Sequence, residues 1–332
     1  MKELDKKTNA LNQSGAFLQF HVLNELTKKH WETTVEKPVS AAPFLTHPEK
    51  QSLIYAHLLA DRTIPADHFA KAMSDSQLLS MKQETSVDID ATKVIPIEFD
   101  PTIVFRLCVE VKKNDPRYSD WCFFQLKQNT EPMRVISKNI RRDGRIELFN
   151  ISKTDRHGDP IFVQTNQYPH WSIFKHDISD FALALQNEQI KPEYFRSEKT
   201  KVDETARQII KGTYGCILDD IIKQVSSGNG YSNSPNIYIP IIVTNANLYL
   251  CKFDLEDIDT SMGHITKDPK YEKVDSIIYE HPTPKEVQFP QPLSSRLDEY
   301  SREQIAKWHV LILSPKGFTE FLENLDKIKS MI

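Results

Sequence analysis

One segment of the chain, FRLCVEVKK at 105–113, alternates apolar and polar side chains and thereby brings an acid and a base together. Residues two apart on a β-strand leave the same face, so Glu110 and Lys112 share a face with Arg106 and Cys108. Taken alone, this pattern is also typical of an amphipathic strand whose charged side faces solvent and forms a cross-strand ion pair. The chemistry therefore depends on what a neighbouring strand adds.

The strand predicted upstream, in SVDIDATKV at 86–94, carries two acids on one face, Asp88 and Asp90. Aspartate is disfavoured in strands, and two of them on one face repel each other unless a positive charge lies between them. If this strand is the hairpin neighbour of 105–112, carboxylates from both strands meet beside a lysine. Carboxylate oxygens are the ligands that Mg²⁺ prefers, together with water and substrate phosphate.

Such a constellation predicts metal-dependent cleavage of a phosphodiester. The cofactor, Mg²⁺ or Mn²⁺, would generate the attacking hydroxide and neutralise charge that develops on the phosphate. The amine of Lys112 would orient the water or stabilise the transition state as a point charge.

Hydrophobic periodicity predicts the elements that hold these side chains. A helix capped by Ser14 covers GAFLQFHVLNELTKKHW and is followed by a strand at 31–39. Two further helical stretches are expected at 51–62 and 67–82. Strands are expected at 86–97, at 105–113 and, for WCFFQLK, at 121–127.

The second half of the chain begins with a segment of short strands and turns at 128–200, which we interpret as an antiparallel insertion or loop-rich excursion. A long amphipathic helix follows at about 203–226, and NIYIPIIVT is expected to be a buried strand. WHVLIL predicts a further strand, after which Ser314 caps and Pro315 starts the last helix. These elements predict an α/β fold around a mixed sheet.

At this point the sequence resembles the PD-(D/E)xK nuclease superfamily. The resemblance rests on six segments, in this order: GAFLQFHVLNEL, VDIDA, VEVKK, SDWCFFQ, ETARQIIKGTYG and IPIIVTNANLYL. It implies a restriction-endonuclease-like fold, with a mixed central sheet flanked by helices. We expect a flexible leader at 1–13, a nuclease-like core at 14–255 interrupted by the insertion at about 128–200, and a C-terminal strand–helix extension at 256–332 packed on the core.

The resemblance also implies roles for individual residues. It makes Glu110 a metal ligand and Lys112 the catalytic lysine. The motif aspartate and metal ligand is Asp88 or Asp90. We favour Asp88 as catalytic, because members often have an apolar-Asp-apolar-x-Ala pattern that VDIDA matches from Val87 onwards.

Supporting residues are less clearly specified. Many members carry a glutamate in the first helix, where this chain has Gln19, and Glu25 or Glu36 are candidates to replace it. In the second core helix, Gln208 and Lys211 match a polar pair that can contact substrate, although a solvated helix face produces the same pattern.

Substrate binding requires local positive charge, because the 42 basic and 46 acidic residues give a net charge of −4. The densest basic stretch is either a solvated hairpin or a phosphate-binding hairpin, and its basic residues are Arg134, Lys138, Arg141, Arg142 and Arg145.

Other signals narrow the class of protein. The sequence has no Walker A loop, GxGxxG, GxSxG or HExxH motif, which removes the main support for nucleotide-driven, dinucleotide, serine-hydrolase and zinc-protease chemistry. Four separated cysteines predict reduced thiols. The absence of a long apolar run or signal peptide predicts a cytoplasmic protein without membrane contact.

Together these observations predict an Mg²⁺-dependent (or Mn²⁺-dependent) endonuclease that cleaves DNA, with restriction or phage defence as the associated role. It would act as a homodimer or with a partner protein of a defence system. Two alternatives stay open: a non-catalytic nucleic-acid-binding or assembly protein on a decayed nuclease fold, and an RNA-directed nuclease.

Overall fold

A computed structural model of the chain describes residues 7–8, 14–40, 84–97, 100–114, 118–124, 130–132, 136–140, 146–149, 152–154, 160–162, 175–179, 181–185, 197–226, 236–284, 287 and 307–331. The helical stretches predicted at 51–62 and 67–82 lie outside these residues, as does the leader at 1–13 apart from Lys7 and Thr8. Within the described ranges, no helix has the length and apolar character needed to cross a membrane.

The regular elements follow the predicted order. The long helices are α1 (Ala16–Lys28), α2 (Lys199–Ser226) and α3 (Pro315–Met331). The strands are β1 (Glu32–Ser40), β2 (Glu84–Ile97), β3 (Asp100–Lys112), β4 (Asp120–Phe124), β5 (Thr130–Pro132), β6 (Ile136–Ile140), β7 (Ile146–Phe149), β8 (Ser152–Thr154), β9 (Pro160–Phe162), β10 (Lys175–Ser179), β11 (Phe181–Leu185), β12 (Ser197–Glu198), β13 (Asn236–Thr244), β14 (Asn247–Lys252), β15 (Ile258–Asp259), β16 (His264–Ile265), β17 (Lys270–Val274), β18 (Ser276–Pro282) and β19 (Lys307–Leu313). The predicted helices at 14–31, 203–226 and the C-terminus are confirmed, and so are the strands around the E-x-K segment.

Helices α1 and α3 each begin with an identifiable N-cap. The predicted cap at Ser14 is wrong by one position: the N-cap of α1 is Gly15, at φ 76°, and the hydroxyl of Ser14 only accepts a hydrogen bond from the N–H of Ala16 at 3.3 Å. A glycine fits there because the left-handed region is open to a residue without Cβ. At α3 the expected cap is confirmed, since the hydroxyl of Ser314 accepts a hydrogen bond from the N–H of Gly317 at 3.0 Å.

The main sheet is mixed, as the sequence predicts. Its strand order is β1-β2-β3-β13-β19-β18-β10-β5, with β6 and β7 joined at one end of β13. Strands β1, β2 and β3 are antiparallel to one another, whereas β13 is parallel to both β3 and β19. The chain is therefore a mixed α/β structure around a mixed, multistranded sheet.

Each face of this sheet is covered by a separate apolar cluster. On one face, α1 and α3 pack Val22, Leu26 and Phe318 against strand residues such as Ile239 and Leu311. On the other face, α2 packs against the sheet, together with residues of a second sheet of order β12-β11-β4-β14-β17. The buried side chains that α2 contributes include Ile209, Ile210, Tyr214 and Ile217.

The C-terminal segment is part of the central sheet. Strand β19 pairs in parallel with β13 from Ile241↔Leu311 to Val243↔Leu313, and β18 pairs along the other edge of β19. The segment that the sequence analysis assigned to an extension on the core thus places two strands inside the ten-stranded sheet. The segment predicted as an insertion contributes β5 to β12, of which β11 pairs with β4 in the second sheet.

Candidate active site

The candidate site lies where two central strands separate. Strand β2 pairs with β3 as far as Ile89↔Val109, where this ladder ends, whereas its pairing with β1 continues to Ser40↔Glu84. The next residue of β2, Asp88, is therefore at the mouth of a gap between the strands. Its carboxylate accepts a hydrogen bond from the N–H of Val111 at 2.8 Å.

The separation also changes the orientation of β2. The sequence predicts that Val87 and Ile89 share one face of the strand. In the structure Val87 packs in the cluster beneath α2, whereas Ile89 packs in the cluster beneath α1 and α3. The regular alternation of β2 is therefore broken around Asp88, next to the point where its pairing with β3 ends.

Glu110 is the most deeply buried acid of the site, with a relative exposure of 1%. Its Oε1 lies 2.7 Å from the amine of Lys112, and its Oε2 has no hydrogen-bond partner within the part of the chain that the structure describes. Burial and the nearby charge of Asp88 together raise the pKa of Glu110 to about 7, because the hydrogen bond and charge of Lys112 only partly oppose them. A buried carboxylate with an unpaired oxygen is costly unless a cation or donor satisfies it.

The ionised form of Asp88 is disfavoured as well. Burial raises the pKa of Asp88, and the charge of Glu36 adds to this, while the N–H of Val111 and the charge of Lys112 oppose it. Two adjacent carboxyl groups therefore both have raised pKa values. Such a pair gains the most from a bound cation, which favours both ionised forms at once.

Helix α2 completes one wall of the site. The side-chain oxygen of Gln208 lies 3.4 Å from the amine of Lys112. The helix can approach β2 closely because residue 212 is glycine: a Cβ there would lie 2.7 Å from Cγ2 of Val87. Lys211 is half-buried on the same helix, three residues after Gln208, and belongs to the same side of it.

Of the acids considered as replacements for Gln19, the structure places one near Asp88. Glu36 has φ 48° and lies between the pairs Val35↔Ile89 and Lys37↔Val87, level with Asp88. Its charge acts on Asp88, as stated above. The left-handed backbone of a non-glycine residue within a strand is strained, and such strain is frequent at functional sites.

No described contact links the other two N-terminal candidates to the paired acids. Glu25 forms an ion pair with Lys28 at 2.7 Å and accepts a hydrogen bond from Thr319, so it joins α1 to α3. Gln19 is half-buried on α1, and no described hydrogen bond or ion pair connects its side chain to Asp88 or Glu110.

Asp90, which the sequence analysis allowed as a metal ligand, is engaged elsewhere. Both of its oxygens accept hydrogen bonds from Arg106, at 2.7 and 2.6 Å, and one is also 2.8 Å from the amine of Lys37. Burial opposes ionisation of Asp90, but Arg106 and Lys37 outweigh it and hold its pKa below the ordinary value. Asp88 and Asp90 are thus chemically distinct: the former adjoins Glu110, and the latter neutralises buried cations.

Asp90 also lies in a buried cluster with Cys108 and Cys216, whose ligand atoms are within 4.8 Å of one another. The hydrogen bond to Cys216, reinforced by burial, raises the pKa of Cys108 well above its ordinary value. A protonated thiol beside an arginine-bound carboxylate is a poor set of ligands for Mg²⁺, which prefers oxygen.

Arg106 is the residue whose importance the sequence analysis missed. It was noted only as one of four polar residues on the face of β3. Its position on the same face of β3 as Glu110, beside a strand with two aspartates, was the available signal that it could neutralise one of them; in the structure its cross-strand partner is Thr92, two residues from Asp90.

The predicted basic hairpin is only partly within the described structure. Lys138 lies on β6, paired with Asn236 of β13. The other four basic residues, Arg134, Arg141, Arg142 and Arg145, lie outside the described residues, so the hairpin's contact with phosphate stays a prediction.

Chemically, this arrangement offers two carboxyl groups that gain from a cation, with a lysine amine and an amide oxygen beside them. The amine of Lys112 has a side-chain exposure of 36%, so it can reach a molecule that enters from solvent. When the chain is compared with protein-family models, with curated protein sequences and with solved structures, none of them matches it.

Proposed function

We propose that the protein is a metal-dependent nuclease that hydrolyses phosphodiester bonds of DNA, with Asp88, Glu110 and Lys112 as its catalytic residues. The observation that carries the proposal is the state of Glu110. This carboxyl group is buried, has an oxygen without a partner in the described chain, and adjoins a second carboxyl group and a lysine. Folding energy alone does not favour such an arrangement, so a ligand that compensates it is expected.

The architecture supports a restriction-endonuclease-like core. The six family-like segments form α1, β2, β3, β4, α2 and the pair β13 and β14, so each of them is a regular element of the fold. The antiparallel pair β2/β3 carries the acids, and β13 lies parallel to β3 beside them. Helix α2 packs over the face of the sheet that carries Glu110 and reaches the site through Gln208.

The donor set fits a small divalent cation. Asp88 and Glu110 supply carboxylate oxygens at the point where β2 and β3 separate, and the raised pKa values of both groups show that positive charge is in deficit there. These two residues would hold the ion, with Glu36 as a nearby third acid. When bound, Mg²⁺ or Mn²⁺ would supply a hydroxide at neutral pH and neutralise charge on the phosphate.

The other residues proposed for the reaction are Lys112, Gln208 and Lys211. Lys112 would donate a hydrogen bond to an oxygen of the scissile phosphate or orient the attacking water, where its charge stabilises the developing negative charge. Gln208 accepts a hydrogen bond from the amine of Lys112 and thereby fixes the direction in which that amine points. Lys211, on the same side of α2 as Gln208, would contact the phosphate backbone beside the reacting group.

The test is a cleavage assay on supercoiled plasmid, linear duplex, single-stranded DNA and RNA, with Mg²⁺, Mn²⁺ or EDTA. We expect DNA cleavage with either metal and none in EDTA. Lys112→Ala should abolish cleavage. Lys113→Ala is the matched control, because Cβ of Lys113 lies against Gly15 of α1 and not in the site. Cleavage that persists in EDTA, or equal loss in both variants, would refute the assignment.

One observation favours the non-catalytic alternative. The ion pair between Glu110 and Lys112 partly satisfies the buried acid without any metal, and Gln19 does not supply a third carboxylate. A protein of this kind would bind nucleic acid or a partner without cutting it, and the same assay with a binding readout separates the two. Cleavage of RNA in place of DNA would support the other alternative, an RNA-directed nuclease. A role in restriction or phage defence, in the cytoplasm, as a homodimer or with a partner, remains part of the proposal.

A further inference from the structure

A buried network of charges lies next to the candidate site and is centred on Arg106. The relative exposure of this residue is 6%, and its guanidinium group binds Asp90 through two parallel hydrogen bonds. Two-pronged contacts of this kind fix the relative orientation of both side chains. Arg106 thus connects β3 to β2 through Asp90, two residues from Asp88.

The same arginine reaches across to α2 and β13. Its Nη1 donates a hydrogen bond to the carboxylate of Asp220, and lies 3.5 Å from the carbonyl oxygen of Cys216. The hydroxyl of Tyr238 on β13 donates to the same oxygen of Asp220 at 2.6 Å. Arg106 also lies 6.0 Å from the centre of the Tyr238 ring.

The network of buried charges also extends to β1. The amine of Lys37 is 2.8 Å from Asp90, and its side-chain exposure is only 14%. Lys37 immediately follows Glu36, and Asp90 is two residues from Asp88. Every element that lines the site, namely β1, β2, β3 and α2, therefore contributes a residue to one buried network.

Stability alone is a weak reason for such a network. Desolvation of buried charges offsets much of their attraction, and apolar replacements of similar volume are often as stable. What hydrogen-bonded charges provide in addition is a fixed mutual position, which apolar packing specifies less strictly.

We propose that Arg106, Asp90 and Asp220 are positioning residues, which hold β2, β3 and α2 so that Asp88, Glu110 and Lys112 converge. The effect of these residues on catalysis rests on the proposed nuclease function. Asp90 is thereby assigned a role that differs from metal ligation, although Asp90 is the same residue type as Asp88 and lies two residues away on the same strand. The network acts on the reaction only through the geometry of the residues that touch metal and substrate.

The variants for the test remove one member of the network at a time. Asp90→Asn removes the central acid, Asp220→Asn releases α2, and Tyr238→Phe deletes a single hydroxyl. The matched control is Asp326→Asn, which breaks another partly buried ion pair of β2, between Lys93 and Asp326 at 2.5 Å, on the side of the sheet that α3 covers. Urea unfolding of all four variants measures what each change does to stability.

Three measurements are made on the full chain. Calorimetric titration with Mn²⁺ reports the metal site, and single-turnover cleavage of duplex DNA at saturating Mn²⁺ reports the chemistry. Hydrogen exchange of the peptide that contains Val111 reports geometry without any activity, because the N–H of Val111 is bonded to Asp88.

We expect Asp90→Asn and Asp220→Asn to slow single-turnover cleavage by about tenfold or more and to speed exchange at Val111 by a similar factor, since each loosens the frame of the site. Mn²⁺ should still bind both variants, and Tyr238→Phe should shift both rates in the same direction by less. Asp326→Asn should leave both rates at the parental value.

Two results would overturn the inference. In the first, Asp90→Asn loses Mn²⁺ binding while exchange at Val111 is unchanged and Asp220→Asn cleaves normally, which would make Asp90 a ligand. In the second, Asp326→Asn slows cleavage as much as the network variants do, which would make the effect one of general stability. A parent that neither binds Mn²⁺ nor cleaves would refute the nuclease proposal, while the exchange at Val111 would still test the positioning of Asp88.

Discussion

Replacing Glu110 by glutamine should remove a pH dependence from the stability of the metal-free protein. The pKa of Glu110 is raised from 4.5 to about 7, chiefly by burial. Between these pH values the folded protein keeps a proton on Glu110 that the unfolded chain releases. Stability is therefore fully present below about pH 4.5 and falls as the pH rises towards 7.

The size of this loss follows from the two pKa values. Raising a pKa from 4.5 to about 7 corresponds to about 3 kcal/mol, at about 1.36 kcal/mol for each pH unit. Glu110 is almost fully buried, so solvent screening reduces this figure little. In Glu110→Gln the side chain cannot ionise, and the variant should become more stable than the parent by up to about 3 kcal/mol as the pH rises from about 4.5 to 8.

The assay is urea unfolding of parent and variant in EDTA at constant ionic strength, from about pH 4.5 to about 8.5. Taking the difference between the two proteins cancels the contribution of the histidines where they are uncoupled from Glu110, whereas Asp88, whose charge raises the pKa of Glu110, contributes to the difference. Glu272→Gln is the control, because Glu272 forms an exposed ion pair with Lys252 and should change stability by less than about 1 kcal/mol. A difference between parent and Glu110→Gln that does not vary with pH would refute the reasoning.

Further predictions concern the metal, the aspartate, the helix and the substrate. At pH 8, Ca²⁺ should raise the stability of the parent by mass action and leave Glu110→Gln unchanged, as measured by thermal unfolding. Asp88→Asn should abolish cleavage and Mn²⁺ binding together, and tight Mn²⁺ binding by this variant would contradict its role as ligand. Gly212→Ala should destabilise the protein by about 1–3 kcal/mol in urea unfolding, since the added Cβ would lie 2.7 Å from Val87. The double variant Arg141→Ala, Arg142→Ala should lower the slope of log affinity against log salt by about 0.9 for each lost phosphate contact on duplex DNA, measured in Ca²⁺. An unchanged slope would show that the hairpin does not bind DNA.

Local elements could be predicted from the sequence because their signals are local. The 3.6-residue period of α1 and α2 and the alternation in β2 and β3 depend only on which side chains must be buried. The cap at Ser314 likewise requires only one hydroxyl next to a proline. Even the proximity of the Glu110 and Lys112 side chains follows from their spacing on one strand.

The domain plan could not be predicted in the same way. Strands β18 and β19 were expected in an extension, but they pair within the central sheet beside β13. Strand pairing joins residues that are far apart in the sequence, and the periodicity of a strand does not reveal its neighbour. Only the assembled sheet shows that its centre is built from both halves of the chain.

The sequence by itself determined which side chains were available for chemistry: two aspartates on one strand, and a glutamate and a lysine on the next. Only the tertiary structure gave the two aspartates different surroundings. β2 leaves β3 at Asp88, which opens a gap beside Glu110, whereas Asp90 remains within the paired region, where Arg106 and Lys37 neutralise it. The physical reason is that the pKa and availability of a carboxylate depend on the charges and burial around it, and residues from β1, β3 and α2 supply these only when the chain is folded.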